Sequence, residues 1–309
     1  MTTFKICLFG KFSFSREGEP FEKIYTPRLQ ELFSYLLIFR DRPHPRETLA
    51  GLFWGYQSIT RSKKYLRQAL WQIQATLVPD HEAAVPLLVA EPEWVMLNSN
   101  DSLWLDVVEF EQAINLMQDK PGMQLDDQDF QNLTRTARLY QGDLLEGCYQ
   151  DWCLYERERL QNMYLALLDK LIDYCEAYQK YDTGLAYGVQ ILRFDRARER
   201  THRRLMRLYY LAGNRTDALR QYQNCVEALK EELDVEPSRR TMELYEQIRR
   251  DHLGEKAVQP VPRKTTETPT KPLSEVLERL KQLYHIIHNL QEEIQDDIQV
   301  VEKALNKES

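Results

Sequence analysis

The residues of this sequence best suited to chemistry lie in a basic stretch at residues 60–78. Apolar residues at helical spacing, from Leu66 to Leu77, predict a helix with one buried face. No Asp or Glu occurs in the stretch, and its other faces carry Arg61, Lys63, Lys64, Arg67, Gln68, Trp71, Gln72 and Gln74. Arg and Lys suit phosphate oxygens and guanine edges, and Gln can pair with adenine. These residues are therefore candidates for contacts to double-stranded DNA in its major groove.

A solvated cationic face is the plainer interpretation of such a helix, and the neighbouring elements decide between the two. Residues 4–14 alternate apolar and polar, as short antiparallel strands do. Pro27 starts a first helix, and residues 46–54 predict a short second one. Residues 87–98 predict a hairpin after the third helix. Strands, three helices and a hairpin predict a winged helix at residues 1–100, whose third helix reads DNA.

The sequence beyond residue 105 predicts one helix after another. The expected helices span about residues 106–118, 127–141, 151–178, 182–194, 197–212, 216–231 and 238–251. Residues 164–192 align with residues 198–226 at an offset of 34, which places Gly184 on Ala218. A 34-residue helix-turn-helix period is typical of tetratricopeptide repeats. We therefore predict a tetratricopeptide-like domain at residues 101–253, with the flanking helices capping two visible repeats.

The last part of the sequence predicts a linker and a coiled coil. Residues 254–272 are rich in Pro, Thr and Lys and predict a flexible linker. Residues 273–307 follow with apolar residues at alternating spacings of four and three, which is the pattern of a coiled-coil seam. The seam consists of Leu273, Leu277, Leu280, Tyr284, Ile287, Gln291, Ile294, Ile298, Val301 and Leu305. A seam of this length predicts a homo-oligomer, although the helix could instead fold back on its own repeat domain.

Composition limits the function classes. The net charge is −7, yet residues 1–100 carry 12 Lys and Arg against 10 Asp and Glu, so the acidity lies outside the predicted DNA-binding part. Five cysteines without a C-x-x-C pair predict reduced thiols, mostly in helix cores. We find neither a signal peptide nor a run of 18 apolar residues, and therefore expect a cytoplasmic protein without membrane contact.

Catalytic and metal-binding patterns do not stand out in the sequence. His285 and His288 lie at i, i+3 without Cys or framing carboxylates, which is weak evidence for a metal site. Nucleotide-cradling glycine loops and serine nucleophile elbows do not occur. We therefore expect no enzyme activity, no metal and no cofactor.

Several motifs, in order along the chain, resemble one known family. LFG at residues 8–10, PRLQ at 27–30 and RETLAGLFW at 46–54 resemble the winged-helix domain of the Streptomyces antibiotic regulatory protein family. The following domain of that family, the bacterial transcriptional activator domain, is resembled by LYQGDLL at 139–145, DRARE at 195–199 with His202 and Met206, AGNR at 212–215, and Glu232-Leu233 with Pro237. The resemblance covers about residues 4–250. It implies DNA binding through the third helix and wing, and a helical domain that supports activation.

This sequence departs from the family pattern in three places. Gln72 and Gln74 stand where the family tends to place basic residues late in the third helix. The predicted wing tip carries Glu91 and Glu93, which would repel phosphates. Larger members append a nucleotide-binding domain, where this chain has a linker and a coiled coil.

The sequence thus predicts a mainly α protein with an N-terminal α+β winged helix, a tetratricopeptide-like domain and a C-terminal coiled-coil helix. We expect a sequence-specific DNA-binding transcription regulator, an activator that contacts RNA polymerase or another protein through its helical domain. The alternative is a tetratricopeptide-type adaptor whose winged helix no longer binds DNA. The acid-free third helix favours the regulator, and the acidic wing favours the adaptor.

Overall fold

The computed structural model describes residues 4–16, 18–20, 26–77, 86–98 and 103–252. All of them belong to one compact unit, Met1–Leu253, and a second unit comprises Gly254–Ser309. The predicted linker and every residue of the predicted coiled-coil seam lie outside the described residues. None of the described helices is long and apolar enough to cross a membrane.

The N-terminal region is α+β, as predicted. Its elements are β1 (Phe4–Cys7), β2 (Ser13–Arg16), β3 (Glu19–Pro20), α1 (Pro27–Ile38), β4 (His44–Pro45), α2 (Arg46–Trp54), α3 (Ile59–Thr76), β5 (Leu88–Ala90) and β6 (Trp94–Leu97). Gly10 lies between β1 and β2 with φ +79°, a left-handed conformation that favours glycine. The Thr26 side chain accepts a hydrogen bond from the Leu29 N–H at 3.3 Å and caps α1, with Pro27 as its first residue.

The strands of this region form two separate sheets. β5 and β6 form the predicted antiparallel hairpin, with β4 on the outer side of β6. The other sheet has the order β3-β2-β1-β7, where β7 is Leu103–Leu105 and runs parallel to β1. The first sheet therefore takes a strand from beyond residue 100, which sequence alternation alone does not reveal.

The rest of the described chain is helical. Its helices are α4 (Asp106–Leu116), α5 (Asp127–Ala137), α6 (Asp151–Ala177), α7 (Tyr181–Phe194), α8 (Glu199–Leu211), α9 (Arg215–Leu233) and α10 (Arg239–Arg249), with a 3-10 turn at Gly122–Gln124. All seven predicted helices are present. The turns after α6 and α8 repeat with the same 34-residue offset, because Gln179 in the first and Gly213 in the second both have a positive φ. Gly184 and its counterpart Ala218 are both buried between helices.

One hydrophobic core joins the α+β region to the helices. It extends from Phe4 in β1 to Leu208 in α8. At the junction, the Trp152 ring packs edge-on against Tyr35 and Phe39, with ring centroids 5.3 and 6.3 Å apart. The α+β region is therefore packed directly against α6.

Candidate nucleic-acid interface

Helix α3 is fixed by its buried face. Leu66, Leu70 and Ile73 are at most 1% exposed, as the apolar spacing predicts. At its N-terminal end, the Ser62 hydroxyl donates to the Trp54 carbonyl oxygen at 2.8 Å, which ties α3 to the end of α2. The opposite side of the helix therefore has one defined orientation towards solvent.

That solvent-facing side, here called the α3 outer face, contains most of the predicted contact residues. Those exposed on it are Arg61, Lys63, Lys64, Arg67, Gln68, Trp71 and Gln72. Trp71 is 66% exposed, which is unusual for the largest apolar side chain. An exposed indole among cations and amides gives this face both stacking and hydrogen-bonding capacity.

Lys63 differs from the other cations of the α3 outer face. Its Nζ lies 2.6 Å from Oε1 of Glu47, in the first turn of α2. The hydrogen bond from Lys63 lowers the pKa of the Glu47 carboxyl. The absence of acids within α3 therefore does not leave Lys63 unpaired, because its partner comes from the preceding helix.

Gln74 lies off the α3 outer face. Its side chain is half-buried, and its Nε2 donates to the Leu88 carbonyl oxygen at 3.2 Å. This bond joins the last turns of α3 to the first strand of the hairpin. The predicted role of Gln74 in base contact therefore has no support in its position.

A groove of about 1030 Å³ separates α3 from the hairpin turn, and Arg46 lies in it. The Arg46 backbone N–H donates to the Glu93 carbonyl oxygen at 2.9 Å, and its Nη1 donates to that of Glu91 at 3.0 Å. Partial burial, and then the positive charge of Arg67, lower the pKa of Arg46. Two guanidinium groups thus face the same groove, which favours an anionic occupant.

Sequence reasoning missed Arg46 because it looked for cations only within the third helix. The position of Arg46 as the first residue of α2 is a signal that was available. Its approach to Arg67 depends on how α2, α3 and the hairpin pack. Exposed apolar side chains also border the groove, with Ile59 75% and Trp94 43% exposed.

The hairpin turn is acidic at its surface. Glu91 and Glu93 are both exposed, as predicted. The Glu91 N–H donates to the Trp94 carbonyl oxygen at 2.8 Å and closes the turn. Of the two, Glu93 lines the groove that contains Arg46.

A known protein family matches the helical domain of this chain but not its N-terminal region. Residues 105–249 match the family model of the bacterial transcriptional activator domain. No curated protein matches the sequence.

A solved structure shares the fold: Mycobacterium tuberculosis EmbR in complex with a low affinity phosphopeptide, at a TM-score of 0.63 and 19% sequence identity. The match covers 81% of this chain and 66% of the EmbR chain, so this chain spans slightly less than two thirds of EmbR. The recognition made from the sequence motifs is thereby confirmed. Residues 105–249 are thus identified as a bacterial transcriptional activator domain, and the chain as a whole resembles the Streptomyces antibiotic regulatory protein family in its motifs and its fold.

Proposed function

We propose that this protein is a sequence-specific DNA-binding transcription regulator, an activator that reads DNA with α3 of a winged helix. The observation that carries the proposal is the α3 outer face. It presents cations, amides and an indole to solvent on a helix without a single carboxylate. An exposed polar helix of this kind has the donors that phosphate oxygens and major-groove base edges require.

The residues of this face have different roles in the proposal. Arg61 and Lys64 contact phosphates, since they lie near the N-terminal end of α3 and are free to reach outward. Arg67 and Gln68 lie one turn further along and read base edges, with Trp71 and Gln72 against bases or sugars. Lys63 contributes less than the others because Glu47 already neutralises it in part.

Arg46 and Arg67 add a phosphate contact that does not follow from α3 alone. Both guanidinium groups face the groove beside the hairpin, and a phosphate there would relieve their mutual repulsion. Glu91 and Glu93 keep the hairpin tip itself away from the backbone. With so few cations in play, the salt dependence of binding corresponds to on the order of three to five phosphates.

The helical domain is proposed to bind protein partners, RNA polymerase among them. Two helical hairpins, α6–α7 and α8–α9, repeat with a 34-residue offset and stack side by side, as tetratricopeptide repeats do. α10 packs against α8 and α9 and serves as a cap. In such stacks each helix pair buries only the faces towards its neighbours, which leaves surface for partners.

The predicted coiled coil at residues 273–307 supports a homo-oligomer. Its seam of ten apolar or amide side chains needs a partner strip, and a second copy provides an identical one. Gln291 is the polar seam position that would set the register. Two copies would also place two α3 outer faces on one DNA, which raises affinity without new contacts.

One observation favours the alternative, a protein-binding adaptor without DNA affinity. Glu47 neutralises Lys63, and both Glu47 and Glu93 line the groove that contains Arg46. These acids reduce the attraction of the region for phosphate. The adaptor would keep the fold and the helical partner surface, and would use Trp71, Ile59 and Trp94 as apolar contacts to protein.

A gel-shift experiment with the full chain and genomic DNA fragments tests the proposal. We expect a subset of fragments to shift and to remain shifted in excess non-specific competitor DNA. The adaptor would be supported if the competitor DNA abolished all binding, or if no fragment shifted at about micromolar protein. The Arg46→Gln variant should weaken binding to the selected fragments without changing which of them are selected.

A further inference from the structure

A groove of about 380 Å³ lies between α8 and α10 in the helical domain, here called the α8–α10 groove. Its lining residues recur at spacings of three and four on both helices, so that each helix turns one face towards it. Five of the eight lining residues are arginines, namely Arg200, Arg203, Arg204 and Arg207 on α8 and Arg240 on α10. Such a concentration of guanidinium groups in one groove points to an anionic ligand.

Two of these arginines hold the walls of the groove in place. Arg204 donates from Nη1 to Oδ1 of Asp169 at 2.9 Å and from Nη2 to the carboxylate of Asp173, both on α6. Arg203 Nη1 donates to the Thr241 hydroxyl at 3.0 Å and so joins α8 to α10. The Arg204 side chain is only 12% exposed. The bonds of Arg203 and Arg204 thus fix the groove before any ligand arrives.

Arg200 and Arg240 have a different setting. Both are exposed, one on α8 and the other on α10. Within the described part of the chain, neither guanidinium group takes part in a hydrogen bond or an ion pair. Arg207 is intermediate, because its Nε donates to Glu176 at 2.6 Å while 53% of its side chain remains exposed. Unpaired guanidinium groups on both walls of a groove can bind carboxylates from two sides.

The other side chains around the groove favour a peptide over nucleic acid. Asp173 and Glu176 are bonded to lining arginines, and Glu243 lines the groove itself. These partly exposed acids would repel the closely spaced charges of a phosphate backbone. Leu244 and Gln247, which also line the groove, provide an apolar contact and an amide for a peptide. A short segment with a few carboxylates therefore matches this surface better than a polyanion.

We propose that the α8–α10 groove binds an acidic segment of a partner protein. Asp or Glu side chains of that segment pair with Arg200 and Arg240, and an apolar side chain between them lies against Leu244. The inference rests on the partner-binding role proposed for the helical domain, and it adds the place and the chemistry of the partner. It does not depend on DNA reading by α3.

Fluorescence anisotropy of the full chain with a labelled peptide tests the groove. The probe is a short peptide of glutamate and serine with one central leucine, and the matched probe has glutamine in place of every glutamate. We expect the acidic probe to bind with a Kd on the order of 10–100 µM, and the glutamine probe to bind at least about tenfold more weakly. Binding of the acidic probe should weaken as the NaCl concentration rises, because the pairs are exposed.

Two double variants locate the binding. Arg200→Ala, Arg240→Ala should weaken the acidic probe at least about tenfold. Arg220→Ala, Arg249→Ala is the matched control, since it removes the same charge from exposed positions of α9 and α10 that do not line the groove. We expect parental affinity for the control and unchanged circular dichroism for both variants.

The proposal is wrong if the unaltered chain binds both probes equally, binds neither, or loses as much affinity in the control as in Arg200→Ala, Arg240→Ala. A full chain that shifts its DNA fragments but binds neither probe would refute this inference alone. If Arg200→Ala, Arg240→Ala abolished the DNA shift, the groove would be a nucleic-acid site instead. If that variant recovered RNA polymerase as well as the parent does, the helical domain would keep its partner role through another surface.

Discussion

At the residue scale, Asp106, the first residue of α4, holds the end of β1 against that helix. Its carboxylate accepts the backbone N–H groups of Leu8, Phe9 and Val107 at 2.8–3.0 Å. The residue is 2% exposed, and burial raises the pKa of its carboxyl despite these hydrogen bonds. A buried acid without a basic partner is costly, so its acceptor role must outweigh that cost.

We predict that Asp106→Ala lowers the free energy of unfolding by roughly 2–4 kcal/mol. The substitution leaves three buried N–H groups without their acceptor, and the penalty for such groups exceeds the mean value of a hydrogen bond. Urea unfolding followed by circular dichroism measures it. Asp106→Asn is the matched control, since it keeps one acceptor oxygen and should lose less. Equal stability of Asp106→Ala and the parent would contradict this role of the Asp106 carboxylate.

Arg67 and Lys64 should affect DNA binding in different ways. Arg67→Ala should cost roughly 1–3 kcal/mol on the target and relax specificity at one base position. Lys64→Ala should weaken all sequences about equally, because a phosphate contact carries no sequence information. Binding isotherms on the target and on single-base variants of it measure both effects. If Lys64→Ala changed the preferred base, the assignment of the two residues would have to be reversed.

At the element scale, the helical array depends on close approach between α7 and α8. A Cβ placed on Gly188 would overlap the Leu205 side chain, at 2.9 Å from its Cγ. Leu205 is 1% exposed and is packed in the hydrophobic core. Glycine at this position therefore serves packing, because its φ is ordinary for a helix.

We predict that Gly188→Ala destabilises the protein by about 1–3 kcal/mol through overpacking. Gly51→Ala is the matched control, because a Cβ on Gly51 in α2 would meet nothing within 4 Å. The control should be neutral or stabilising by up to about 1 kcal/mol, as alanine is the better helix former. Thermal unfolding of both variants measures the difference. Equal melting temperatures of the two variants would contradict the close packing of α7 against α8 at Gly188.

The elements were largely predictable from the sequence, whereas their cross-contacts were not. Apolar spacing at 3.6 residues and the Pro27 and Arg46 helix starts placed the helices within a few residues of their observed ends. The pairing of β7 with β1 depends on two segments about 100 residues apart, and local pattern contains no record of it. The same applies to the Lys63–Glu47 ion pair and to the Gln74–Leu88 hydrogen bond. The sequence predicted which face of each helix is buried. Which side chains contact one another across elements could be seen only in the structure.

At the scale of the whole molecule, the described residues form one body, whose main core extends from β1 to α8 and is followed by a small second cluster among α8, α9 and α10. At the junction, Trp152 of α6 contacts Tyr35 of α1 through their rings. The two regions to which we assign DNA reading and partner binding are thus joined by packed side chains. The proposed self-association depends instead on the predicted coiled coil beyond residue 253.

We predict that the full chain sediments as an oligomer at about micromolar concentration, whereas a chain ending at Gly254 sediments as a monomer. The seam predicted at residues 273–307 would need a partner strip to bury its apolar side chains. Analytical ultracentrifugation of both chains measures this difference. Two monomers would contradict the coiled coil, and two oligomers would place the interface within residues 1–254.

The central claim is that the α3 outer face reads DNA, and charge reversal tests it most directly. The double variant Lys64→Glu, Arg67→Glu should bind the selected target at least about 30-fold more weakly than the parent. Arg200→Glu, Arg240→Glu is the control, with the same change in net charge at exposed positions of α8 and α10. The account predicts near-parental binding for the control, and unchanged circular dichroism for both variants. Parental affinity of the folded Lys64→Glu, Arg67→Glu protein would contradict the claim.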